Sequence, residues 1–231
     1  MLKLFLRALE ACYQVETFER VFDLLIARGF RLIADGEEEE YENVVPEVTP
    51  ALRRDLNEYL AHRKERLFIQ VYLLGDVDFR FVLLPVQEEG MLVCQVNYDY
   101  IRSNEARVFY PIMLETFKDL YHACQSFYGH QDYDGGISLS RKAVIQDQSI
   151  GYLYYINLFG PELVKKLGRD RLLSAPAWRV EELGDGGIFL VPEDHLAIGG
   201  GGHSLKKVAD HLGMSTPQAP GEEWDEYEYE P

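Results

Sequence analysis

The chain is short of basic residues: 23 lysines and arginines face 39 aspartates and glutamates, a net charge of −16. Such a surface repels phosphate backbones and anionic lipid, which argues against nucleic-acid and membrane partners and favours a basic protein. Cysteine is scarce as well. Cys12, Cys94 and Cys124 are odd in number and far apart, which excludes a disulfide framework and suits a reducing, cytoplasmic setting. No apolar run approaches the ~20 residues of a membrane helix. Met1 to Arg7 mixes charge into a short apolar run with no small-residue cleavage site after it, so a signal peptide is not expected. Also missing are a Gly-x-Gly-x-x-Gly fingerprint, a Walker lysine-serine pair, a Gly-x-Ser-x-Gly elbow and any fixed internal repeat. No cofactor is expected.

What is present describes a folded protein. Of 231 residues, 47% are hydrophobic and 13% aromatic, enough for a substantial core and far from the composition of disorder. Leu2 to Leu9 reads as a strand. Thr17 to Arg28 reads as an amphipathic helix with Thr17 as N-cap and Gly29 as its stop. Phe30 to Ala34 is a short strand, and a second helix starts at Thr49-Pro50 and runs to about Glu65. Leu67 to Leu74, Asp78 to Val86 and Met91 to Tyr98 are three β-type runs whose short connections favour antiparallel pairing. Glu105 to Tyr128 is a long helical pattern that either begins at Pro111 or kinks there.

The region from Tyr152 to Pro192 is the most legible. Tyr152 to Phe159 suits a buried strand, and Gly160-Pro161 opens a helix that Gly168 closes. Ala177 to Leu183 and Ile188 to Val191 flank Gly184-Asp185-Gly186-Gly187, the signature of a tight hairpin. Ser204 to Leu212 forms a last helix. The elements spell an α+β fold, a largely antiparallel sheet with packed helices. Residues 1–214 are expected to form one domain, with a subdivision conceivable near residue 66. Residues 215–231 form an acidic C-terminal tail.

Candidate binding residues lie where charge and aromatics gather. Glu37, Glu38, Glu39 and Glu40 form an acidic loop. His130, Asp132 and Asp134 alternate within a polar loop ending at Gly135-Gly136. The His-x-Asp-x-Asp spacing fits a divalent cation, which makes a metal-assisted hydrolase the enzymatic alternative. A polar surface turn explains the same residues without metal. Trp224, Tyr227 and Tyr229 belong to a tail in which Glu222 to Glu230 holds six acids and no base, and aromatics there have no core to join. The Gly199 to Gly202 run before the last helix reads as a connector, although amides at such a place can cradle an anion. Ser174 with His195 or His203 makes only a weak hydrolase triad, and the cysteines sit among apolar neighbours.

Tyr155, Asn157, Phe159-Gly160-Pro161, the Gly168 to Pro176 run and the Val180 to Gly187 hairpin resemble the C-terminal part of a bacterial polymorphic-toxin immunity family, immunity protein 52. The resemblance covers about a fifth of the chain. It implies a non-enzymatic binding protein that neutralises a co-encoded toxin by occluding it, with the matched residues acting as scaffold. A homo-oligomeric structural or regulatory module is a third reading.

Overall fold

The structure is a computed structural model and describes residues 2–8, 15–33, 44–45, 50, 54, 69–73, 79–86, 91–96, 106–132, 150–194 and 203–216. Two compact units divide the chain, Met1–Arg141 and Lys142–Pro231.

The first unit is built on an antiparallel sheet. Strand β1 spans Leu2–Ala8, β2 Phe30–Ile33, β3 Val44–Val45, β4 Ile69–Leu73, β5 Phe79–Val86, β6 Met91–Val96 and β7 Ser126–Asp132. Their order is β3-β2-β4-β5-β6-β1-β7, and every pairing between neighbours is antiparallel. The three consecutive β-type runs therefore pair as their short connections require. The N-terminal strand is inserted between β6 and β7, with Leu6 opposite Leu92 on one side and Gly129 on the other.

Two helices of this unit are bounded within the described residues. Helix α1 spans Val15–Ala27 and α2 Ala106–Ala123. Val21, Phe22 and Leu25 of α1 are buried at helical spacing, as are Leu114, Phe117, Leu120 and Tyr121 of α2. The Arg28 guanidinium pairs with Asp119 and ties the end of α1 to α2. Thr17 lies inside α1 rather than at its cap: the helix starts two residues earlier, and the buried Thr17 hydroxyl accepts from Arg20 at 3.0 Å. Gly29 stops α1 as expected, with φ 91° and its N–H donated to Ile26 at 2.9 Å. Pro111 neither starts nor ends α2. It sits in the second turn on the exposed side, where its missing N–H leaves one carbonyl unserved.

The long helix ends earlier than its sequence pattern suggests. After Ala123 the chain turns at Cys124 and Gln125, and Gln125 takes φ 48°. A left-handed residue cannot continue a helix. Ser126-Phe127-Tyr128 then starts β7 instead of ending α2, and the expected polar loop at His130 is part of that strand. The predicted second helix lies outside the described residues except for Pro50 and Arg54, both helical.

The second unit holds strands β8 (Asn157–Phe159), β9 (Arg179–Glu182) and β10 (Ile188–Val191). β10 is central, antiparallel to β8 on one side and to β9 on the other. Helices α3 (Pro161–Leu167), α4 (Arg169–Leu173) and α5 (His203–Leu212) complete it. Leu163, Val164, Leu172, Leu205, Val208 and Leu212 are buried, as is all of β10. Among the described residues no helix is long and apolar enough to cross a membrane.

Candidate functional site

The residues singled out by sequence fare unequally. Glu37 to Glu40, Asp134, Trp224, Tyr227 and Tyr229 lie outside the described residues. His130 and Asp132 fall on β7. His130 is 2% exposed, and its ring stacks on Tyr128, centroids 4.9 Å apart at 17°. It is packed into the sheet rather than displayed on a loop. Asp132 ends the strand, opposite Lys3. Among the described residues no three His, Cys, Asp or Glu side chains gather in a way that could hold a metal ion. Cys124 is a buried free thiol, as its apolar setting suggested.

The second unit is where geometry is most explicit, and it is built around one buried amide. Asn157 Oδ1 accepts the Tyr154 N–H at 3.0 Å. Its Nδ2 donates to the Tyr154 carbonyl at 2.6 Å and the Leu190 carbonyl at 3.4 Å. By serving both backbone groups of Tyr154, the side chain takes the place of a ladder partner. The segment Leu153 to Ile156 is consequently buried without being a strand, and only Asn157 to Phe159 pairs with β10. The longer strand read from the apolar run is shortened for that reason.

Downstream, each turn is set by a small residue. Pro161 occupies the first turn of α3, where an N–H would be unserved anyway. Gly168, at φ 91°, ends α3 and begins α4. The β9–β10 hairpin has a three-residue loop: Gly186 donates to the Leu183 carbonyl at 2.9 Å and Leu183 to the Gly187 carbonyl at 2.8 Å. Gly186 carries φ 84°, the left-handed position this loop demands, and Asp185 Oδ1 accepts from the Gly187 N–H at 2.9 Å.

Helix α5 is held at both ends. Glu193, buried, accepts the Leu205 N–H at 3.2 Å. A carboxylate of the chain itself thus occupies the helix N-terminus at which the glycine run suggested an anion cradle. At the other end Arg171 donates from Nε to the His211 carbonyl at 3.2 Å, while His211 Nε2 lies 3.0 Å from the Arg171 carbonyl. A carbonyl only accepts, so Nε2 carries the proton. Ser174 Oγ is 3.4 Å from the same Nε2 and donates to the Arg171 carbonyl at 3.2 Å. Ser174 therefore meets His211, neither of the histidines considered from sequence, in an exposed clasp between α4 and α5.

One surface element was missed. Trp178 is 51% exposed, the one exposed large hydrophobic residue among those described. It stands immediately before β9, whose far side carries no further strand among the described residues. Charged side chains flank it. Arg169 grips Glu182 through two bonds of 2.8 and 2.5 Å, and Arg179 reaches Glu181 at 2.7 Å while lying 5.4 Å from the centre of the Phe189 ring. The bond from Arg169, reinforced by its charge, holds the Glu182 carboxyl below the usual carboxylate range; the Arg169 guanidinium is raised for the same reason. The sequence signal was available: a tryptophan at the open end of a hairpin strand otherwise made of Arg, Val and Glu.

No family model matches the chain, and no curated protein matches it. Among solved structures, a Pseudomonas aeruginosa T6SS protein, PA0821, superposes with a TM-score of 0.51 at 12% identity, over 95% of this chain and 76% of that one. At that identity the likeness is one of fold.

Proposed function

We propose that this chain is a non-enzymatic binding protein that neutralises a basic partner by covering it, in the manner of an immunity protein facing a co-encoded toxin. The observation that carries the reading is the work done by the residues on which the immunity-family resemblance rests. Asn157 holds the Tyr154 backbone, Pro161 and Gly168 bound α3, and Gly186 turns the hairpin. Tyr155, Phe159, Leu172 and Ala175 are buried. All are scaffold positions, so what is shared is a frame on which the exposed surface is free to vary between partners. Fold likeness to a T6SS protein is in keeping with this reading.

The charge supplies the sign of the partner. At −16 the chain draws a basic surface toward it and accelerates encounter, while buried aromatic and apolar contacts hold the complex. Glu37 to Glu40 and the Trp224 to Tyr229 tail are the contact segments proposed from sequence, and the cytoplasm is the proposed compartment. The test is a tagged pull-down from the native bacterium at low and moderate salt. The expected result is one stoichiometric basic protein, released by salt and toxic when expressed alone. Recovery of the bait by itself, under conditions in which the host makes its toxins, would overturn the proposal.

A further inference from the structure

We infer that the acidic segment Glu222 to Glu230 docks, within its own chain, on a cationic patch formed by Arg171 of α4 and Lys207 of α5. Helix α5 buries Leu205, Val208, Ala209 and Leu212 along one face, which leaves two exposed flanks. One flank carries Lys206 and Asp210, paired with each other at 3.4 Å. The other carries Lys207 and His211, one turn apart, and His211 is the residue that meets α4. Arg171 lies at the end of that stripe. Its Nε donates to the His211 carbonyl, and its Nη2 sits where a Cβ on Gly213 would come within 2.8 Å. Arg171 and Lys207 are both exposed, and among the described residues neither meets a carboxylate.

The chain supplies the counter-charge itself. It passes Arg171 at Gly213, and Glu222 follows nine residues later. Lys207 lies back along α5 from Gly213 by about 9 Å. Nine residues span about 30 Å when extended, ample for the chain to reverse and lie along the patch. Glu222 to Glu230 holds six acids and no base, interleaved with Trp224, Tyr227 and Tyr229. The carboxylates answer the charges of Arg171 and Lys207, and the aromatic rings offer their faces to the same cations. Tethering then selects this segment over a free anion. An effective concentration on the order of millimolar fills a site whose individual ion pairs are weak. The docking goes beyond the proposed partner binding and is tested without that partner.

The test uses the full chain carrying Trp178→Phe, which leaves Trp224 as the reporter. Acrylamide quenching of Trp224 is expected to be weaker at low salt than at about 0.5 M salt, where charges screen within a few ångströms. The protection is expected to be independent of protein concentration, as a contact within one chain requires. Lys207→Glu is expected to lower the ratio of docked to free segment by about fivefold, since an attraction becomes a repulsion. Lys206→Glu, the same charge change on the opposite flank, is expected to lower it far less. The Lys207 side chain has no bonding partner among the described residues, so its variant is expected to keep the fold, which circular dichroism checks. Trp224 as accessible at low salt as at high salt would overturn the inference. So would equal effects of the two lysine variants, or protection that grows with protein concentration and so belongs to a second copy.

Discussion

The carboxylate of Glu193 accepts the N–H of Leu205, so a side chain far upstream caps the first turn of helix α5. That bond fixes the two ends of the glycine-rich connector whose residues lie between them. Glu193→Ala leaves a buried amide unserved and is expected to destabilise the second unit by about 1–2 kcal/mol. Glu193→Gln keeps an acceptor oxygen and is expected to lose less. Urea unfolding with hydrogen exchange at the α5 amides checks both; equal melts for wild type and alanine variant would dismiss the cap.

Asn157 is the residue whose loss is expected to cost most. Its alanine variant strips partners from the N–H and C=O of Tyr154 and from the Leu190 carbonyl, all within the core. A loss of about 2–4 kcal/mol is expected by chemical denaturation. Asn157→Asp is also expected to be destabilising, because an ionised carboxylate cannot donate to the two carbonyls.

The Arg169–Glu182 pair gives a pH dependence. The Glu182 carboxyl titrates lower in the folded chain than in the unfolded one. Across the interval between those two values the unfolded state binds more protons, so stability rises with pH. The contribution of the pair is fully present above about pH 4.3, the ordinary glutamate value, and is lost as pH falls through the folded value. Thermal melts of wild type and Glu182→Gln are expected to differ by a constant amount above that point and to converge below it. Both side chains are partly exposed, so added salt should narrow the gap.

Two glycines separate backbone strain from open space. Gly213 has φ 63°, and a Cβ there would come within 2.8 Å of Arg171 Nη2. Gly213→Ala is expected to cost about 1 kcal/mol and to loosen the Arg171–His211 clasp. Gly184 has nothing within 4 Å of a Cβ and no positive φ. Gly184→Ala is expected to be neutral in the same melts.

Much of this fold was legible because its signals are local. Pro161, Gly168, Gly186 and Gly29 mark their boundaries through backbone restrictions that need no tertiary partner, and the three β-type runs pair through short connections. What was misread depends on distant contacts. The apolar run Tyr152 to Phe159 reads as a strand, but the Asn157 side chain captures the Tyr154 backbone. Tyr128 and His130 read as helix end and polar loop, but β1 arrives from far along the sequence to pair with them. The Glu193 cap likewise spans residues that no local pattern connects. The candidate site was less legible still. A buried His130 and an exposed Trp178 invert the usual expectation for a polar and an apolar side chain.

Ser215 donates its N–H to the Gly151 carbonyl at 2.7 Å, and its carbonyl accepts from Leu153 at 2.8 Å, a short parallel stitch beside Tyr152. The backbones at Gly151 and Ser215 are therefore neighbours. A segment whose two ends meet behaves as a cassette: recombination can splice it into a surface turn of another gene product with little distortion of either. The same closure makes residues 151–215 a subject for circular permutation, with a reversing linker from Ser215 to Gly151 and new termini opened at the Gly184 turn.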